Sequence, residues 1–134
     1  MTSEHIRRLA EDVAEDLLDL DDAIRAARDL VARAREAFDH DEMLRLAAEA
    51  ISNRLGEAAG RLDPAWKATV PEVPRRVIRD NRNFVVHAYR GIDDDQLWST
   101  LAVDVPALGR LLEPHVGRAR ATINAATATD DEKP

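Results

Sequence analysis

The sequence contains no cysteine, which excludes disulfides, thiolate zinc sites, iron–sulfur clusters and cysteine nucleophiles together. A metal would have to be held by histidine and carboxylates, and the Glu-x-x-His pairs that carboxylate di-metal bundles use are absent. The reading therefore carries no metal and no cofactor. No run approaches the roughly 18 uncharged apolar residues of a membrane span, and the first residues, Met1 to His5, lack the basic-then-apolar layout of a secretory signal. These absences predict a cytoplasmic protein with no membrane segment. No segment alternates apolar and polar residues with the period of a strand; Phe84, Val85 and Val86 form the one β-branched cluster, inside helical periodicity. Lysine is scarce too, with two in the chain, so arginine is the default cation.

The 134 residues, 45% hydrophobic and 34% charged, suffice for one globular domain with its own core and not for two. Apolar positions Ile6, Leu9, Val13, Leu17 and Leu20, continuing through Ile24 and Leu30 to Phe38, recur every three or four residues, as on one face of a long amphipathic helix. The acids Asp19 to Asp22 suggest a break within it. Asp39 and Asp41 are suitable caps for a second helix with apolar positions Leu44, Ile51, Leu55 and Leu62. Pro64, Pro71 and Pro74 make residues 63–74 an irregular connection, followed by a helix from Arg75 to about Tyr89 with Gly91 at its C-terminal cap. Asp93 to Asp95 open a short helix carrying Leu97, Trp98 and Leu101, and Asp104 with Pro106 opens a last one through Leu108, Leu112, Val116 and Ile123. The expected fold is all-α, an antiparallel bundle of four to five helices forming one domain over residues 1–125, with a frayed tail at 126–134. His5, His40 and His115 read as isolated surface residues.

The net charge is −7, which argues against a generic nucleic-acid coat. Its distribution is uneven: residues 75–90 hold five arginines against the single acid Asp80, a window of +4 in a chain whose remainder sums to −11. Such asymmetry points to an anion-binding face. At roughly 100° per residue, Val77, Ile78, Phe84, Val85 and Ala88 share the side that must face the bundle. The opposite side carries Arg76, Arg79, Asn83, His87 and Arg90, beside a second line of Arg75, Arg82, Val86 and Tyr89. Like charges three and four residues apart on an exposed helix repel by a few tenths of a kcal/mol per pair, so folding alone does not favour this stripe. An anion or acidic partner is implied.

Arginine grips phosphate oxygens two at a time, and histidine exchanges protons near neutral pH. Together they have the chemistry to cleave RNA without a metal: a 2′-hydroxyl loses a proton, the phosphorus centre has its added charge stabilised, and the leaving 5′-oxygen gains a proton. Arg82 and His87 are five residues apart, roughly 140° around one regular helix, and do not converge from a single chain. A two-fold dimer bringing Arg82 of one subunit towards His87 of the other supplies both groups and a second imidazole. A second reading is a non-enzymatic helical dimer, or a nucleotide-binding module, whose basic face docks a nucleotidyltransferase or another acidic partner.

The run Arg82-Asn83-x-x-x-His87-x-Tyr89, followed by Gly91-Ile92-Asp93 and Leu97-Trp98, resembles the HepT-like toxins of the HEPN superfamily, the ribonuclease partners in HEPN/MNT toxin–antitoxin pairs. Upstream, Leu55-Gly56-Glu57-Ala58 and Pro71-Glu72-Val73-Pro74 with Arg76 and Ile78 extend the likeness, which covers about residues 40–113. The resemblance implies an α-helical homodimer with the motif at its interface and metal-independent endoribonuclease activity on tRNA or mRNA. Arg82 and His87 would be catalytic, with Asn83 orienting substrate or histidine. Arg76, Arg79 and Arg90 of the basic stripe would bind RNA. Tyr89 resembles the tyrosine that the cognate nucleotidyltransferase antitoxin modifies with AMP, adding negative charge that repels RNA. Arg75 stands where many relatives have tryptophan, and Arg79, Asp80 and Asn81 replace residues that are usually smaller or more apolar.

Overall fold

The computed structural model describes residues 2–71 and 94–131. Among these residues every regular element is helical. Helix α1 (Ser3–Val31) starts at Thr2, whose hydroxyl accepts the His5 amide at 3.1 Å. It buries Ala14, Leu17, Leu20, Ala23, Ile24, Ala27 and Leu30 along one continuous stripe. The expected break near Asp19 to Asp22 does not occur. Asp21 instead pairs with Arg25 one turn later, at 3.0 Å, and Asp19 and Asp22 lie against Arg61 and Arg54 of a neighbouring helix, at 3.4 and 3.9 Å. The helix turns at Ala32 and Arg33, where Ala34 takes φ 72 without being glycine.

Helix α2 (Ala34–His40) follows and buries Phe38 completely. Asp41 caps helix α3 (Glu42–Arg61), its carboxylate accepting the Met43 amide at 2.9 Å, as the sequence predicts. After Leu62, the expected irregular connection contains a single-turn helix α4 (Pro64–Ala68), capped by Asp63 with Pro64 in its first turn. Helix α5 (Asp94–Ser99) runs through a π-helical turn at Thr100–Asp104 into helix α6 (Val105–Asp131). Asp104 therefore lies within a helical path and is not the expected N-terminal cap. Pro114 is accommodated inside α6.

The last helix also passes residue 125, where the sequence reading ends the ordered domain. It continues to Asp131, and Thr129 donates its hydroxyl to the Ala125 carbonyl at 3.0 Å. The alanine-rich 125–129 stretch explains the persistence, since alanine loses no side-chain entropy in a helix.

Ion pairs and contacts give the packing sense. Arg61 lies near Asp16 at 3.8 Å while Arg54 meets Asp22 at 3.9 Å, so α3 runs antiparallel to α1. Arg120 meets Asp21 at 3.4 Å, Gly109 sits beside Ile24, and Thr129 shares a groove with Arg7, so α6 is antiparallel to α1 as well. The core is one cluster in which α1 is central: its Leu20, Ile24 and Leu17 join Phe38, Leu55, Leu97, Leu101, Leu108 and Leu112. Burying such aliphatic side chains contributes roughly 1.5–3 kcal/mol each. The all-α bundle of the sequence reading is the fold observed.

Candidate functional site

The residues on which the sequence places the chemistry, Arg82, Asn83 and His87, together with Tyr89 and the stripe arginines Arg76, Arg79 and Arg90, lie outside the described residues. The described part of the fold holds the two places where that segment joins the bundle, at Pro71 and at Asp94.

The upstream attachment is α4 and the turn after it. Thr69 donates its hydroxyl to the Trp66 carbonyl at 2.7 Å, and the Thr69 amide donates to the same carbonyl at 2.9 Å. This double use of one acceptor closes the short helix. Val70 then turns into the core and is 6% exposed. The Trp66 indole meets the His115 imidazole of α6 edge to face, with ring centres 5.5 Å apart and planes at 88°, a favoured aromatic arrangement.

His115 is 7% exposed, which corrects its reading as a surface residue. One turn along α6, the Arg118 guanidinium donates to Nδ1 of this ring. Arginine has only donors, so Nδ1 is the accepting nitrogen of this pair. The sequence did contain a signal: His115 falls in register with Leu108, Leu111, Leu112 and Ala119 on the apolar stripe.

The downstream attachment is electrostatic. Asp94 and Asp95 form the first turn of α5, where negative charge is favoured by the helix dipole. Arg35 of α2 pairs with Asp95 and, through Nε, with Asp39 at 2.8 Å. Its guanidinium also lies 5.8 Å from the Phe38 ring centre and 5.9 Å from that of Trp98, close enough for cation–π attraction. Phe38 and Trp98 are themselves in contact, with centroids 5.3 Å apart. Arg45 of α3 donates to the main-chain oxygens of Asp39 at 2.9 Å and Phe38 at 3.2 Å, and its Nε lies 3.9 Å from Asp94. Two carboxylates hold the Arg35 guanidinium in its charged form, raising its pKa above the usual arginine range. The sequence pattern makes these acids the opening of a short helix and does not reveal their arginine partners, because the partners come from helices some fifty or sixty positions earlier.

Among the described residues no group of three His, Asp or Glu side chains is placed to hold a metal ion, and no helix is long and apolar enough to cross a membrane. Between α1, α4 and α6 lies a cleft of ≈540 Å³ with Trp66, His115 and Arg118 in its lining.

Comparison with known proteins adds the family. The family described as Ribonuclease HepT-like matches residues 20–114, a span containing α3, α4, α5 and the whole arginine-rich segment. A protein named Probable ribonuclease HepT, from Thermococcus cleftensis, is 37% identical over 54 residues, covering 40% of this chain and 49% of that protein. A Putative RNase MJ1380 from Methanocaldococcus jannaschii is 28% identical over 96 residues, covering 69% of this chain and 88% of its own length. The chain thus spans about half of the first relative and most of the second. No solved structure matches it. The match running from the middle of α1 to the middle of α6, together with the all-helical bundle, shows that this chain belongs to the HepT-like family.

Proposed function

We propose that this protein is the toxin of a HEPN/MNT toxin–antitoxin pair, a metal-independent endoribonuclease that acts on RNA, tRNA or mRNA, as a two-fold homodimer in the cytoplasm. The observation that carries the reading is the run Arg82-Asn83-x-x-x-His87-x-Tyr89 within the span matched to the HepT-like family. The names of both relatives support the nuclease class.

In this reading His87 of one subunit takes the proton of the 2′-hydroxyl, whose oxygen attacks phosphorus. Arg82 of the partner stabilises the added negative charge. The 5′-oxygen leaves with a proton from the second His87, giving a 2′,3′-cyclic phosphate and a 5′-hydroxyl end. Asn83 orients the substrate or the imidazole, and Arg76, Arg79 and Arg90 hold flanking phosphates. A nucleotidyltransferase antitoxin silences the site by transferring AMP to Tyr89, which places charge and bulk beside the phosphate.

The test is cleavage of total RNA by chelator-treated protein. His87→Ala and Arg82→Ala should each lower the rate by at least about 100-fold without changing helicity. Cleavage that required added metal, or that survived both substitutions, would overturn the mechanism. Co-expression with a cognate nucleotidyltransferase should add one or more AMP masses to the intact protein, and Tyr89→Phe should abolish the addition.

A further inference from the structure

We infer that the cleft between α1, α4 and α6 is a binding site for a small organic anion with a flat, apolar body. The inference goes beyond the nuclease reading and stands without it. Its α1 side is an aliphatic wall of Leu9, Val13 and Leu17, and Trp66 and Val70 also line it. The residues it takes from α6 include Arg118 beside His115, with Thr122 one turn further. The volume, ≈540 Å³, lies inside the range of roughly 300–1,000 Å³ of small-molecule sites.

Charge selects the ligand class. The chain is acidic overall, yet the described lining residues include an arginine and a histidine and no carboxylate. Arg118 spends one N–H on His115, and a guanidinium has five, so a carboxylate or phosphate can still be gripped there. The hydroxyls add direction. Thr69 gives its proton to the Trp66 carbonyl and Thr122 gives its own to the Arg118 carbonyl, at 2.7 and 3.0 Å. Both oxygens are left as acceptors, matched to hydroxyl or amino donors on the ligand body. The site thus takes an anionic group at Arg118 and a ring between the indole and the aliphatic wall. A nucleoside monophosphate and an aromatic carboxylate share that chemistry.

The test is calorimetric titration of the full chain with two matched pairs: AMP against adenosine, and indole-3-carboxylate against indole-3-carboxamide. At least one anion should bind with a Kd below about 1 mM and about tenfold more tightly than its neutral partner. The tighter anion then identifies the ligand source. Arg118→Ala, at an exposed position, should remove the preference for the anion, and Trp66→Leu should weaken both members of the bound pair. His87→Ala should leave the binding unchanged, which separates failure here from failure of the nuclease reading. The inference is overturned if neither anion binds at 5 mM (about five times that limit), if anion and neutral partner bind alike, or if the preference survives Arg118→Ala.

Discussion

Trp66 and His115 stand at right angles across the gap between α4 and α6, with ring centres 5.5 Å apart. A helix of five residues has little stability of its own, and this contact is its main aromatic attachment to the bundle, immediately before the arginine-rich segment.

Truncating that attachment should be costly. Trp66→Ala should destabilise the protein by about 2 kcal/mol, less than a fully buried aromatic because Trp66 is half-buried. Urea denaturation followed by circular dichroism measures it, and a loss under about 0.5 kcal/mol would show that α4 is held by Val70 alone.

The turn between α1 and α2 predicts the opposite sign. Ala34 holds φ 72, where its Cβ meets the carbonyl oxygen at a cost of roughly 1–2 kcal/mol. Ala34→Gly should therefore stabilise by about 1 kcal/mol, since the residue is exposed and glycine enters this region without strain. An unchanged midpoint in denaturant would refute the argument.

Two glycines of α6 give an internal comparison. A methyl at Gly117 meets nothing within 4 Å, whereas one at Gly109 lies 3.1 Å from Cγ2 of the buried Ile24. Gly117→Ala should add about 1 kcal/mol through helix propensity. Gly109→Ala should lose part or all of that gain, because the Ile24 side chain must shift by a few tenths of an ångström to admit the methyl. Equal thermal shifts for the two variants would contradict the packing of α6 on α1.

Asp16 carries a pH signature. Burial raises its pKa above the ordinary carboxylate value, partly offset by Arg61, with Asp19 and Asp12 adding to the rise. A raised folded-state pKa means that the folded chain holds this proton more tightly than the unfolded chain. Ionised Asp16 therefore opposes folding once the pH exceeds its folded pKa, and that opposition disappears on acidification below the unfolded value near 3.8. Asp16→Asn should raise the melting temperature slightly at pH 7 and leave it unchanged near pH 3. A fall at pH 7 would mean that the pairing with Arg61, at 3.8 Å, outweighs the desolvation.

Long periodic segments made the bundle legible: the apolar stripes of α1 and α3 and the Asp41 cap follow from spacing and capping chemistry alone. The boundaries misplaced at acidic residues have causes that lie outside the local signal. At Asp19 to Asp22 and at Asp104, acids resembling helix signals continue inside helices because partners elsewhere in the chain, such as Arg54, Arg61 and Arg120, or an inserted π turn, alter the local preference. The family was legible because Arg82, His87 and Tyr89 form a pattern in one short stretch. The Arg35 and Arg45 contacts and the burial of His115 depend on distant residues, which no local window contains.

The π turn at Thr100–Asp104 makes α5 and α6 a single rod with one surplus residue wound into it. Deleting that surplus residue would return the turn to ordinary α-helix and keep the two flanking helices in register. Deleting a second residue would rotate the near end of the rod by roughly 100° relative to the far end, and Asp94 and Asp95 would swing off Arg45 and Arg35 with no contact residue mutated. The bearing of α5 is therefore set by arithmetic, by how many residues fill one turn.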